Sequence, residues 1–424
     1  MRFALVNPNW CFAGSVYFGC REPHLPLELG YAARALEDAG HEAVIIDAHM
    51  FDLSLGDLRA RLEDFAPDFT VLVTAPTYLF WRCTQPELTV PELTASAITE
   101  AAGVLVAVGP HPSTSPGAVL AKLRADAVLR GEFEQALPLL ADKDWREIPG
   151  LVFNWRGRLH GKDGRVQAAN VEALPALVWP DEWISRHAHH HHRFDAAPRG
   201  PGAEVEASRG CPFGCVFCAR EYFRGAYRKR PLSTVLAEID GLLSRGVEYV
   251  YFIDELFLPD RALLSELAAR GLKFGIQTRI DMWKPRDLEL LGRAGCVSVE
   301  AGIECLAPEV RALLGKRSAL STEQMVERLV LAKSHVPFVQ ANLVDAGFEN
   351  PDFVAQWRDR LRSRGVWAND PVPIFPYPGS NIYRRKWGEP DDLAWERALH
   401  DYLEGVARLS ELQDAWSMPA AVGS

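Results

Sequence analysis

Apolar and polar positions alternate along the first 110 residues in blocks that switch repeatedly between a strand period and a helix period. Phe3 to Val6, Ala43 to Asp47, Thr70 to Thr74 and Val104 to Val108 are short apolar runs. Between them, Leu27 to Ala39, Leu58 to Phe65 and Pro91 to Ala102 keep a helical spacing, and Gly40 and Gly103 close the first and last of these. Strands alternating with helices of this length predict a parallel, doubly wound α/β sheet of flavodoxin or Rossmann type. Ligands of such sheets sit at the carboxyl ends of the strands, where the chain carries Asn7-Pro8-Asn9-Trp10, Thr74-Ala75-Pro76-Thr77, Gly109-Pro110-His111-Pro112-Ser113 and Gly131-Glu132-Phe133-Glu134. Gly109 and Gly131 are expected to let a bulky flat ligand approach the backbone.

The alternation stops between Val171 and Pro201, a stretch rich in Pro, Trp, Ala and His that reads as a connector. It contains His187-Ala188-His189-His190-His191-His192, for which a solvated linker, an active-site lid and a metal site all stay open. Neighbouring residues on one segment point in different directions, so a single metal would take two of these imidazoles at most. The strand and helix repeat then resumes. Strands are expected at Ala203 to Ser208, Tyr249 to Ile253, Lys273 to Thr278, Val297 to Ala301, Phe338 to Val344 and near Pro371 to Phe375. Helices are expected from Pro231, through Leu263 to Ala269, and over Asp287 to Arg293, Thr322 to Ser334 and Asp352 to Ser363. Six such units predict a partial (β/α)6 barrel whose active groups lie at the carboxyl ends of its strands. Those ends carry Asp254 and Glu255, then Gln277, Arg279 and Asp281, then Glu300 and Glu304, then Asn342 and Asp345. The expected domains are 1–140 (doubly wound), 141–201 (connector), 202–385 (barrel) and 386–424 (helical tail).

Composition changes this picture little. The chain has 424 residues, 48% hydrophobic and 24% charged, which are ordinary globular values. A net charge of -10 argues against a general nucleic-acid or membrane-surface binder, whose footprint is basic. No apolar stretch has the length to cross a bilayer and no leader precedes the first strand, so a cytoplasmic location is expected. Arg220, Arg224, Arg228, Lys229 and Arg230 form a local basic run, read either as a solvated helix lead-in or as a contact for an anionic substrate. Cys11, Cys20, Cys83, Cys296 and Cys305 are scattered and read as buried thiols rather than a disulfide framework.

The remaining three cysteines decide the chemistry. Cys211, Cys215 and Cys218 stand in Arg-Gly-Cys-Pro-Phe-Gly-Cys-Val-Phe-Cys. Three thiolates can ligate only three irons of a cubane cluster, so the fourth iron keeps a vacancy for another ligand. A structural zinc wants a closed tetrahedral set, usually with a second CxxC pair downstream. This CxxxCxxC run, with Phe217 before its last cysteine, resembles the signature of the radical S-adenosylmethionine (SAM) superfamily. The resemblance implies a 4Fe-4S cluster on the three cysteines, SAM chelated to the free iron, and Phe217 beside the adenine. Ile253-Asp254-Glu255-Leu256-Phe257 resembles the stretch whose carboxylate receives the SAM amino group, here Glu255. Gln277, Arg279 and Glu304 complete the implied SAM contacts, although Cys305 replaces a usual serine.

The first domain, in its position before the barrel, is similar to the cobalamin-binding domain of one large radical SAM class. Pro26-Leu27-Glu28-Leu29-Gly30, Gly131-Glu132-Phe133-Glu134 and Pro376-Tyr377-Pro378-Gly379-Ser380 match stretches of that class, and Gly109-Pro110 stands where it keeps a glycine pair. Thr74, Gly109, His111, Gly131 and Glu132 are therefore expected to contact cobalamin. His49, in Asp47-Ala48-His49, follows the second strand rather than the first and is not expected to ligate cobalt. The resemblance implies a cobalamin-dependent enzyme that methylates an unactivated carbon of a small molecule or sugar. One SAM would methylate cobalamin and another would yield the 5'-deoxyadenosyl radical, with flavodoxin or ferredoxin as electron donor. A rearrangement or other non-methyl reaction on the same cofactors is the first alternative, and an iron-sulfur sensing or binding protein the second.

Overall fold

Strands β1 (Arg2–Asn7), β2 (Glu42–Asp47), β3 (Phe69–Val73), β4 (Val104–Val108) and β5 (Ala127–Leu129) pair in parallel in the order 2-1-3-4-5, the flavodoxin-like winding. The structure is a computed structural model, and it describes residues 1–10, 23–76, 87–161, 164, 166–187, 201–219 and 222–406. Successive residues of β1 serve opposite faces of the sheet, as the period of a strand requires. Phe3 and Leu5 join a core with Leu29, Ala32 and Leu36 of helix Leu27–Asp38, while Ala4 and Val6 join one with Leu58, Leu62, Ala95 and Ile98 of helices Leu55–Phe65 and Thr89–Ile98. Burial on both faces explains why these strands read as unbroken apolar runs.

A hairpin that ends the first sheet was not anticipated. β6 (Leu151–Trp155) and β7 (Arg158–His160) form an antiparallel hairpin that extends the sheet beyond β5. Arg156 and Gly157 both have positive φ, 50° and 77°, the conformation of a two-residue hairpin turn. An X-Gly pair between two short apolar runs was the available signal, in a stretch read as connector.

In the second half, β8 (Gly202–Val205) is followed by β9 (Ser208–Arg209) and β10 (Arg228–Lys229), a short antiparallel pair. β11 (Tyr249–Phe252), β12 (Lys273–Thr278), β13 (Cys296–Glu304), β14 (Phe338–Asp345) and β15 (Trp367–Ala368) then continue the parallel order 8-11-12-13-14-15. Helices Leu232–Ser244, Arg261–Arg270, Pro285–Arg293, Thr322–His335 and Pro351–Arg362 connect them. Their starts are chemically marked: Asp260 and Asn350 cap two of them, and Ser321 with Gln324 forms a capping box on a third.

The strand expected to run to Ser208 stops at Val205, because the Ala207 N–H turns to the Asp254 carboxylate at 2.8 Å. The last expected strand, near Pro371 to Phe375, is reduced to β16 (Val372–Pro373), and β15 precedes it; the two pair with successive parts of β14. Pro371 and Pro373 cannot donate to a ladder, and Asn369 fills the gap: its side chain accepts from Leu343 N at 2.7 Å and donates to Leu343 O at 2.9 Å.

Met1–Leu177, Cys218–Gly225 and Pro376–Val406 form one compact unit, and Val178–Phe217 with Ala226–Phe375 the other among the described residues. Helices Asn381–Trp387 and Ala394–Val406 thus belong with the first sheet. No helix among the described residues is long and apolar enough to cross a membrane.

Candidate functional site

In the second unit the stretch that carries Cys211 and Cys215 leaves β8 through a set of buried polar anchors. Asp254, immediately beyond β11, accepts from Ala207 N and from the Ser208 hydroxyl. Burial pushes its carboxyl up to about 8. Glu255 accepts from Gly210 N at 2.7 Å. Arg209 forks onto Glu206 at 2.8 and 3.0 Å, and Arg230 reaches Glu238 at 2.8 Å, both pairs buried. On the far side of the loop, Val216 N donates to Leu314 O at 3.0 Å. Gly315, at φ +70°, faces the Gly214 carbonyl so closely that a Cβ would stand 2.7 Å from it.

Cys211, Cys215 and Cys218 are half-buried and none is in a disulfide. Burial raises the Cys215 thiol above its usual value, while Lys316 and Arg279 pull it the other way and Glu304 and Cys211 add to the rise. The strand ends supply these charges in pairs. Arg279 forks onto Asp281 at 3.1 and 2.7 Å and lies 3.9 Å over the Phe213 ring within the cysteine loop. Glu304 pairs with the buried Lys316. Glu304 sits at φ +58° beside a register break between β13 and β14, and a Cβ on Gly302 would meet its carboxylate at 2.8 Å and Lys316 Nζ at 3.1 Å.

The structure therefore brings Arg279 and Glu304 into the electrostatic surroundings of Cys215 and places Glu255 under the entry of the loop. Gln277 is fixed by its backbone, whose carbonyl accepts from Phe257 N at 2.9 Å, and it lies opposite Glu300 in register. Phe217 packs half-buried on an apolar cluster of Cys305, Ala307, Val310 and Leu314. Cys305 is buried there, and burial together with Glu349 raises its thiol well above the usual range. Lys316 and Phe213 were not singled out from the sequence. A glycine ending helix Pro308–Leu313 marks the turn, but nothing local shows that the following lysine reaches Glu304.

In the first unit, four of the five expected cobalamin contacts form one network. Thr74 Oγ1 donates to Val108 O at 3.0 Å and lies 3.2 Å from His111 Nδ1. Ser113 donates to Gly109 O at 2.5 Å and accepts from Gly131 N at 2.8 Å. At both glycines the close neighbour is the chain itself: a Cβ on Gly109 (φ +118°) would stand 2.8 Å from Thr74 Oγ1, and one on Gly131 (φ +87°) 2.2 Å from Gln167 O. Glu132 accepts from Ala169 N at 2.6 Å, holding the same crossing segment. His111 is buried against Trp395, ring centroids 4.1 Å apart, and Trp395 donates to Ser115 at 2.8 Å. Burial drives the His111 imidazole down to about 3, so it is neutral. The sequence reading of 386–424 as a tail missed Trp395 as part of this loop.

His49, after β2, has its Nδ1 3.3 Å from Asn9 Oδ1 in the loop after β1. Of the histidine run only His187 is described; it is buried after helix Asp181–Arg186, within 4.8 Å of the Glu204 carboxylate. His189 to His192, Arg220, Cys11, Cys20 and Cys83 lie outside the described residues, as does the chain beyond 406. Within the basic run, Arg224 pairs with buried Glu28 and Arg230 with buried Glu238, while exposed Lys229 pairs with Asp260.

Comparison with known proteins agrees with this layout. A radical SAM superfamily model matches residues 205–352 and a B12 binding domain model residues 20–141. An uncharacterised methyltransferase of Pyrococcus horikoshii is 26% identical over 78% of this chain and 71% of its own. An anaerobic magnesium-protoporphyrin IX monomethyl ester cyclase of Cereibacter sphaeroides is 28% identical over 78% of this chain, which spans 55% of that relative. The radical SAM methyltransferase TsrM of Kitasatospora setae, solved with cobalamin and a 4Fe-4S cluster, shares the fold at TM-score 0.72 and 19% identity, over 90% of this chain and 73% of its own.

Proposed function

We propose, for a chain that belongs to the radical SAM superfamily and carries the B12-binding domain of its cobalamin-dependent class, that the reaction is methylation of an unactivated carbon in a small molecule or sugar. The chain is an enzyme of that family, with a 4Fe-4S cluster, SAM and cobalamin as its cofactors. The single observation that carries the reading is the three-cysteine loop, anchored at Gly210 and Val216 and flanked by paired charges. A closed metal site would need a fourth ligand that this run does not supply.

The donor set fits the cluster. Cys211, Cys215 and Cys218 would hold it, with Arg279 and Lys316 favouring the thiolate form of Cys215. Glu255, Gln277, Arg279, Glu304 and Phe217 would hold SAM. Glu255 and Glu304 would offer carboxylates to its amino group, Arg279 would supply a positive charge for its carboxylate, and Phe217 would give an apolar surface for its adenine. Thr74, Gly109 and His111 would face cobalamin, where a neutral, buried imidazole suits an uncharged contact, and Gly131 and Glu132 would shape that loop from behind. Bound together, the cofactors supply the adenosyl radical and a carrier for the methyl group; the protein orients the reactants and excludes water. A reductant is required, of the flavodoxin or ferredoxin kind, and the setting is cytoplasmic.

Anaerobic protein reconstituted with iron, sulfide and cobalamin should form 5'-deoxyadenosine from SAM and dithionite. Methyl-labelled SAM with candidate substrates should pass label to carbon. 5'-Deoxyadenosine without label transfer would favour the non-methyl alternative, which the likeness to a cyclase supports. No 5'-deoxyadenosine at all would favour an iron-sulfur sensor.

A further inference from the structure

The two carboxyls that follow β11 do different work, although they are neighbours in sequence. Asp254 takes Ala207 N at 2.8 Å with one oxygen and the Ser208 hydroxyl with the other, while Glu255 takes Gly210 N at 2.7 Å. Together they fix the backbone immediately before Cys211, and Leu314 fixes the loop beyond it. Asp254 is 2% exposed and its hydrogen bonds go to residues that hold no iron. We propose that Asp254 is a positioning residue for the cluster, one that sets the exit of the chain from β8 and so determines how firmly the cysteine loop retains its irons.

The physical basis is preorganisation. A cubane site keeps its metal only if the thiolates are held in place before binding, and residues behind the ligands commonly carry a large share of that retention. If that acceptor were lost, the Ala207 N–H would lose its carboxylate partner in a buried place and Ser208 would keep only its bond with Tyr227. The segment would then relax toward the sheet, continuing β8, and the cysteine loop would start from a different point. Asn at 254 preserves the arrangement, since its amide oxygen can accept from Ala207 N and its NH2 can donate to Ser208.

This inference rests on the reading of the cysteine loop as an iron-sulfur site, and the experiment separates the two. Anaerobically reconstituted wild type, Asp254→Asn, Asp254→Ala and Ser208→Ala are compared for iron and sulfide per chain, for the electron paramagnetic resonance spectrum of the reduced cluster, and for the rate of iron release to a chelator. Wild type is expected to hold about four irons. Asp254→Ala should release iron about tenfold faster, Ser208→Ala by an intermediate factor, and Asp254→Asn at close to the wild-type rate. The melting of the metal-free proteins identifies any variant that merely fails to fold; Ser208→Ala, which leaves the buried carboxyl in place, then carries the test. Wild-type iron release in Asp254→Ala and Ser208→Ala overturns the inference alone. A wild-type protein that binds no iron overturns the underlying reading.

Discussion

The cysteine loop after β8 and the loop after β4 occupy the same kind of place, the carboxyl end of a parallel strand, and are built from opposite materials. The first is surrounded by charge in matched pairs, Arg209 with Glu206, Arg279 with Asp281 and Lys316 with Glu304. The second is neutral: a hydroxyl, an uncharged imidazole and an indole are stacked into one another. Charge suits a site that must stabilise a polyanionic cluster and a zwitterionic cofactor. Shape suits one whose ligand is large, flat and held mainly by contact. The strand end fixes where a ligand binds, and the side chains after it fix which kind.

The largest effect expected on this contrast comes from the cysteines. Serine at 211, 215 or 218 should abolish cluster assembly and 5'-deoxyadenosine formation, read by iron content and chromatography, while cobalamin binding followed by visible absorption stays near the wild-type level. Loss of both together would show that the two loops are not independent sites.

Trp395→Ala attacks the other side. It removes a buried indole, its contact with His111 and its bond to Ser115, and should destabilise the first unit by about 3 kcal/mol. Trp395→Phe keeps a ring and should recover most of that. Chemical denaturation with hydrogen exchange on β4 measures both; unchanged β4 protection in Trp395→Ala would mean that the indole is not part of the loop.

Two glycines sharpen the comparison further. Gly131→Ala and Gly315→Ala each put a Cβ against a backbone carbonyl at a positive φ, at 2.2 and 2.7 Å, and should each cost about 2 kcal/mol. Iron retention separates them: Gly315 faces Gly214, between two cysteines, so only its variant should lose iron faster.

The two loops also differ in how far they could be read in advance. The cysteines lie within eight residues of one another, and the acidic and basic residues at the barrel rim follow strands whose period is plain. Glu304 with Lys316 was half legible, because the lysine arrives after a helix and a turn that fix no side-chain direction. Trp395 meets Ser115 across 280 residues of sequence, and no local pattern encodes such a contact. The same holds for Gly131, where a close approach to the backbone was anticipated but the occupant of the space was not. It is the backbone of Gln167, crossing from a stretch that read as connector.

The smallest effect is a pH dependence of opposite sign in the two units. His111 is lowered from 6.5 to about 3 by burial, with Thr74, Trp395 and the Glu87 backbone around it. Below pH 6.5 the unfolded chain gains a proton that the folded chain does not take until about pH 3, so stability falls as pH falls through that window. Asp254 is raised from 3.8 to about 8, faced by Ser208, Glu206 and Glu255, with Tyr227 bonded to the same Ser208. Between those values the folded chain keeps a proton that the unfolded chain has lost, so stability falls as pH rises. Asp47, raised to about 6, has the same sign as Asp254 but is common to every variant. His111→Gln should therefore flatten the acid loss at β4, and Asp254→Asn the alkaline loss at β11, each by about 1 kcal/mol or more across its window. Hydrogen-exchange protection of the two strands, corrected for intrinsic rates, reads them separately. If both variants flattened the same limb, the neutral loop and the charged one would share a single titration, and the contrast between them would fail.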